Sequence, residues 1–134
     1  MRSILIMIAL LLMATTARAA DLLMFEEPGC VWCQRWHAEI GPGYPNTEEG
    51  QKAPLRRHDL RTGVPADIRF DKPVTLTPTF VLVDNGVEIG RILGYPGANF
   101  FYPMLAEVLQ RLVRLPAQRE VRNVPDGVFK RAIR

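Results

Sequence analysis

Both cysteines of this chain fall within four residues, Cys30-Val31-Trp32-Cys33. They stand between a short apolar run, Leu22 to Phe25, and a stretch of helical periodicity. That arrangement constrains the fold more than any other feature. A run of four apolar residues is consistent with a buried strand. It must pass through the turn signal Glu26-Glu27-Pro28-Gly29 and deliver the first cysteine to the head of a helix predicted over Val31 to Ile40. Cys33, Trp36, His37 and Ile40 fall at i, i+3, i+4 and i+7 and therefore share one helix face.

Haem attachment requires C-x-x-C-H, and Gln34 stands where the histidine would be. A structural zinc site needs four ligands, commonly two cysteine pairs, whereas only His37 and His58 remain as other soft donors. Cys33 and His37 at i, i+4 leave a site built on Cys30, Cys33 and His37 as a rival reading. As a staple the cross-link closes a minimal loop and constrains the unfolded chain little. Two incidental core thiols would explain nothing about the spacing. A redox pair explains more. Residues i and i+3 at a helix start lie within disulfide reach. The helix N-terminus points free N–H groups and positive dipole at the first cysteine, and the thiolate so stabilised is the nucleophile. Cys30 is thus the expected attacking thiol and Cys33, a turn deeper, the expected resolving thiol. This reading calls for no cofactor and no metal.

The start of the chain bears on the redox compartment. Arg2, the apolar run Ile4 to Met13, and Ala17-Arg18-Ala19 read as the charged, apolar and cleavage regions of a secretory signal, residues 1–19, cut after Ala19. The run is too short to span a bilayer, which takes about 20 residues. With Arg2 and Arg18 gone, the net charge of +3 drops to +1, and no basic stripe with stacking aromatics points to nucleic acid. Export puts the thiols in an oxidising compartment, where disulfides persist.

Further along, Leu55 to Leu60 reads as a second strand, and Arg61 to Val74 as a polar stretch holding a short helix or loop. Asn46 or Thr47 can cap a helical restart after the interruption at Gly41 to Pro45. Thr79 to Val83 is β-branched and apolar, Asp84-Asn85-Gly86 is a hairpin signal, and Val87 to Leu93 is the return strand. A last helix, capped by Asn99 and stopped by Pro116, carries the stripe Phe101, Met104, Leu105, Val108, Leu112 and Leu115. Residues 20–115 thus form one α/β domain, a mixed central sheet of about four strands with helices on its faces. Residues 116–134 are left as a C-terminal tail. From Arg111 onward the chain holds seven basic and two acidic residues, which suit a solvated end or an acidic partner.

These residues resemble the thioredoxin family. The matching stretches are Leu22 to Phe25 leading into C-V-W-C, then T-P-T-F-V-L-V-D-N-G, then E-I-G-R-I-L-G-Y, spread over Asp21 to Leu115. The resemblance implies a thioredoxin-like fold, a cis peptide bond at Pro78 beside the redox pair, and pairing of the Thr77 backbone with a bound substrate segment. P-G-C-V-W-C-Q-R-W-H-A-E-I-G-P and A-P-L-R-R-H-D-L look more closely like the small periplasmic thioredoxins of sulfur-oxidation clusters. That likeness implies a thiol reductant. Its implied client is the sulfur-carrier complex of thiosulfate oxidation, and its implied electron donor a membrane thiol transporter.

Some positions depart from the family pattern. The aspartate six residues before the first cysteine is replaced by Met24, which removes the family's proton handler for Cys33. Glu26 or Glu27 are candidates to take its place through water, although a solvated turn is their simpler reading. The insert Gly41–Lys52 is a candidate partner surface. Trp32, inside the motif, is an expected exposed contact for clients. Trp36 could pack against it or belong to the core, and Tyr95 reads as a turn residue that could border the site. For electron flow, the helix dipole favours a Cys30 thiolate and the two glutamates oppose it. The expected result is a modestly lowered pKa and a reducing pair, with an oxidase or isomerase on the same fold as the alternative.

Overall fold

The computed structural model describes residues 20–122, with side chains as far as Leu115. The expected leader, residues 1–19, and residues 123–134 of the expected tail lie outside the described residues. The anticipated strands form at Asp21–Glu26 (β1), Leu55–Asp59 (β2), Thr79–Asp84 (β3) and Val87–Leu93 (β4). They assemble into one mixed sheet in the order β2-β1-β3-β4. β2 runs parallel to β1, while β3 is antiparallel to both β1 and β4. Among the described residues three α-helices accompany them, Val31–Glu39 (α1), Glu48–Lys52 (α2) and Ala98–Arg122 (α3).

The period-two alternation of side chains across a strand divides the sheet into two packed faces. Leu22, Met24, Phe80, Leu82 and Ile92 meet Cys33, Trp36 and Ile40 of α1 and Phe101, Leu105, Val108 and Leu109 of α3. Leu23, Phe25, Val81 and Val83 face the other way, onto Ile68, Leu60, Phe70 and Val74. Helices flank the sheet as expected, and its two faces are covered differently. α1 and α3 share one face, and the segment between β2 and β3 covers the other with a 3-10 turn, Leu60–Thr62, and irregular backbone. That segment is tied down by the amide of Arg69 donating to the carbonyl of Gly86, and that of Glu88 to Arg69.

At the centre Trp36 lies 5.3 Å from Phe80 and 5.7 Å from Phe101, ring to ring, with Phe80 and Phe101 4.9 Å apart. Tilted and edge-on aromatic pairs of this kind each add about 0.5–1.5 kcal/mol beyond their buried area. Trp36 is fully buried, so of its two expected roles the core one holds. The insert before β2 is anchored in the same core. Tyr44 is 1% exposed and donates its hydroxyl to the carbonyl of Ala53 at 2.8 Å. Thr47, one of the two expected caps, accepts from the amide of Gly50 at 3.0 Å. The β3–β4 turn adopts the positive φ values that Asn-Gly permits, 50° at Asn85 and 73° at Gly86.

The last helix departs from expectation at both ends. It begins at Ala98, and the carbonyl of Gly97 accepts from the amides of Phe100 and Phe101, so Asn99 lies inside it. It also runs through Pro103 and Pro116 to Arg122. An interior proline costs a helix about 3 kcal/mol. The packing of Phe101, Leu105, Val108 and Leu109 against the sheet opposes that cost. Within the expected stripe, Met104 is exposed and Leu109 is buried instead. None of the described helices is long and apolar enough to cross a membrane.

Candidate functional site

β1 ends at Glu26, and the turn that follows puts Gly29 at a φ of 82°, a conformation glycine adopts without strain. Cys30 then becomes the N-cap of α1. Its backbone is extended, and its sulfur accepts the amide of Cys33 at 3.1 Å. The helix thus opens with a cysteine where an oxygen-bearing side chain is usual. Cys30 and Cys33 are joined as a disulfide with their Cα atoms 5.2 Å apart. The two sulfurs differ in access. Cys30 is half-buried, whereas Cys33 is 3% exposed and lies in the core with Met24 and Trp36.

Thr77-Pro78 is a cis peptide, as the resemblance implied. Thr79 pairs with Phe25 in the β1–β3 register, so Pro78 lies one step on, opposite the end of β1 that feeds the cysteine turn. Pro78 is buried, and its carbonyl accepts from the amide of Gly94 at 2.8 Å. Thr77 is bound to the same turn from the other side, its hydroxyl donating to Glu27 at 2.8 Å. Trp32 is 52% exposed on the surface of α1, with the guanidinium of Arg35 5.5 Å from its ring centroid.

A cavity of about 310 Å³ opens beside the disulfide, lined among others by Glu26, Cys30, Cys33, His37, Arg57 and Asp59. Glu26 links two other residues of its lining. One carboxylate oxygen accepts from Arg57 Nε at 2.6 Å, and the other lies 2.6 Å from His37 Nε2. Burial pushes the Glu26 carboxyl up, but its hydrogen bonds to Arg57 and His37 outweigh that and hold it below the ordinary value. Glu26 is therefore not a solvated turn residue. Its side chain is 17% exposed and bridges β1, α1 and β2. Two larger clefts lie along β4 and α3 and include neither cysteine.

Sequence reasoning did not anticipate this network. The only signal was the position of His37 one turn beyond Cys33. The approach of Arg57 depends on the parallel register that sets it opposite Met24, two residues before Glu26. Tyr95 is more than a turn residue. It is 6% exposed, packs on Phe101 and donates to Glu39 at 2.6 Å, which ties the chain after β4 to the end of α1. It lines no part of the cavity. As for the metal alternative, His37 is held by Glu26 and His58 contacts the carbonyl of Gly63 at 2.7 Å. Among the described residues no three histidine, cysteine or acidic side chains are grouped to hold an ion.

The crystal structure of the periplasmic thioredoxin SoxS from Paracoccus pantotrophus, in its reduced form, is similar to this chain. The two share 52% sequence identity with a TM-score of 0.68, over 69% of this chain and 98% of that one. A thioredoxin from Malassezia sympodialis, Mala s 13, matches at 21% identity over 69% of this chain and 75% of its own, with a TM-score of 0.43, too slight a likeness to add to the argument. No protein-family model and no curated protein matches the chain.

Proposed function

Since the chain belongs to the thioredoxin family and is a thiol–disulfide oxidoreductase, we propose that it works in the periplasm as a reductant of protein disulfides, with Cys30 attacking and Cys33 resolving. The observation that carries the assignment is the difference between the two sulfurs. Cys30 is the accessible one, at the helix N-terminus and bonded to the Cys33 amide, whereas Cys33 is enclosed. A thiolate at Cys30 gains from that amide and from the helix dipole. The enclosed thiol meets only a sulfur already linked to Cys30, which is what resolution requires.

Thr77 and Pro78 shape the groove for an extended client segment, and exposed Trp32 is the apolar contact beside it. Their placement at the end of β1 and at the head of α1 supports this. The reductive direction is supported by Glu26 and Glu27, which line the cavity beside the pair and oppose a heavily stabilised thiolate. Arg57, the nearby positive charge, is engaged by Glu26.

Export rests on the signal-like residues 1–19. Ala20 is buried and Asp21 opens β1, so cleavage after Ala19 would remove nothing that the strand uses. The implied client is the sulfur-carrier complex of thiosulfate oxidation, and the implied donor a membrane thiol transporter. The test is the reduction potential of the Cys30–Cys33 pair, measured by equilibration in defined thiol buffers. A value near −270 mV, about that of thioredoxin, is expected. A value near about −120 mV would make the protein an oxidant and sink the reductive role.

A further inference from the structure

A resolving thiol must lose its proton before it attacks, because the thiolate is the nucleophile. Cys33 is packed among Met24, Trp36 and Phe80, none of which takes up a proton at neutral pH. Its proton must therefore pass into the cavity that Cys33 lines. The charged and titratable groups facing that cavity are Glu26 from β1, Glu27 from the turn, His37 from α1, and Arg57 and Asp59 from β2. Arg57 does not deprotonate. Asp59 is bound to Arg61 through both carboxylate oxygens, and Glu27 is exposed and accepts from Thr77. Glu26 has both oxygens engaged, by Arg57 and His37.

His37 remains. It stands one helical turn beyond Cys33, half-buried, with its ring 5.2 Å from that of Trp36 and its Nε2 held by Glu26. Imidazole exchanges its proton between about pH 5 and 8. With Nε2 engaged, Nδ1 is the nitrogen left to do so. We propose that His37 takes the Cys33 thiol proton across this cavity by way of a water, with Glu26 and Arg57 as the positioning residues that hold its ring.

The Cys30 thiolate, its own proton already lost to water, attacks a client disulfide and expels one client thiolate, which takes a proton from water, leaving a mixed disulfide. Cys33 gives its proton to His37, and the resulting thiolate attacks the Cys30 sulfur. The bond between Cys30 and the client breaks, and the departing client thiolate receives the proton from His37. The client disulfide has gained two electrons and two protons, and the Cys30–Cys33 disulfide has formed. This inference rests on Cys33 being the resolving thiol.

Mixing the reduced protein with excess glutathione disulfide separates the steps. Attack by Cys30 is a phase that scales with glutathione disulfide concentration, and resolution is one that does not. His37→Gln keeps an amide beside Glu26 but cannot carry the proton. It should slow the second phase by about ten- to a hundredfold at pH 6.5 and leave the first unchanged. The deficit should close by about pH 9, where a free thiol ionises unaided. Glu26→Gln should slow the same phase by a smaller factor. An unchanged second phase in His37→Gln, or one slowed equally at every pH, would overturn the proposal, since a merely structural role has no such pH signature. A wild-type reaction lacking the second phase altogether would overturn the assignment of Cys33 itself, and this inference with it.

Discussion

The hydroxyl of Thr77 donates to the Glu27 carboxylate at 2.8 Å, joining the loop of the cis proline to the turn before the cysteines across 50 residues of sequence. The bond fixes a negative charge close to the accessible sulfur. Glu27→Gln would keep an oxygen for Thr77 while removing the charge. The Cys30 thiol of the reduced protein should then ionise at lower pH, because a like charge has been taken from beside the thiolate. Iodoacetamide alkylation of the reduced protein across pH reads that shift directly. An unchanged profile would mean that the Glu27 charge is not felt at Cys30.

The different access of the two sulfurs has a consequence for trapping. Cys33→Ser should accumulate mixed disulfides with client proteins, since nothing remains to release them, and Cys30→Ser should accumulate none. Non-reducing gels of each variant after exposure to a protein disulfide provide the comparison. Equal trapping by both variants would refute the assigned roles.

Glu88 and Arg91 form an ion pair on β4, with contacts of 2.6 and 2.7 Å and side-chain exposures of only 5% and 16%. The same pair fastens the preceding loop, because Glu88 accepts from the amide of Asp71 and Arg91 donates to the carbonyls of Lys72 and Pro73. Arg91→Met should leave the Glu88 charge uncompensated and cost about 3 kcal/mol. That corresponds to a fall in Tm of roughly 10–20 °C in a domain of this size. Adding Glu88→Gln should recover part of the loss, since no charge is then left without a partner. Thermal melts of the single and double variants decide it, and a double variant no better than the single would rule out the charge as the cause.

Acid stability should report on Glu26. Its carboxyl is held below 4.5 in the folded protein, burial opposing and the Arg57 and His37 bonds prevailing. A depressed folded-state pKa contributes stability that is fully present above the unfolded value and is lost as pH falls through the folded one. Denaturant titrations should therefore show stability declining below pH 4.5 with a shallower slope in Glu26→Gln than in the wild type. Parallel declines would mean that the network does not stabilise the fold.

Much of the architecture was legible because its causes are local. The apolar run of β1, the β-branched run of β3 and the Asp84-Asn85-Gly86 turn each act through residues adjacent in the chain, and all formed where expected. The cysteine pair belongs with them, since a spacing of three at a helix start brings two sulfurs together under any packing. Pro116 shows the limit of local rules. It should have ended α3, but the helix continues to Arg122.

A dithiol at the head of a helix on a mixed sheet follows from local signals in the chain. The groups around it are brought there by long-range packing. Glu26 meets Arg57 from 31 residues away, Thr77 reaches Glu27 from 50, and Tyr95 reaches Glu39 from 56. Such partnerships are set by strand register and by which sheet face each helix covers, and a shift of one residue along a strand would send every side chain to the opposite face.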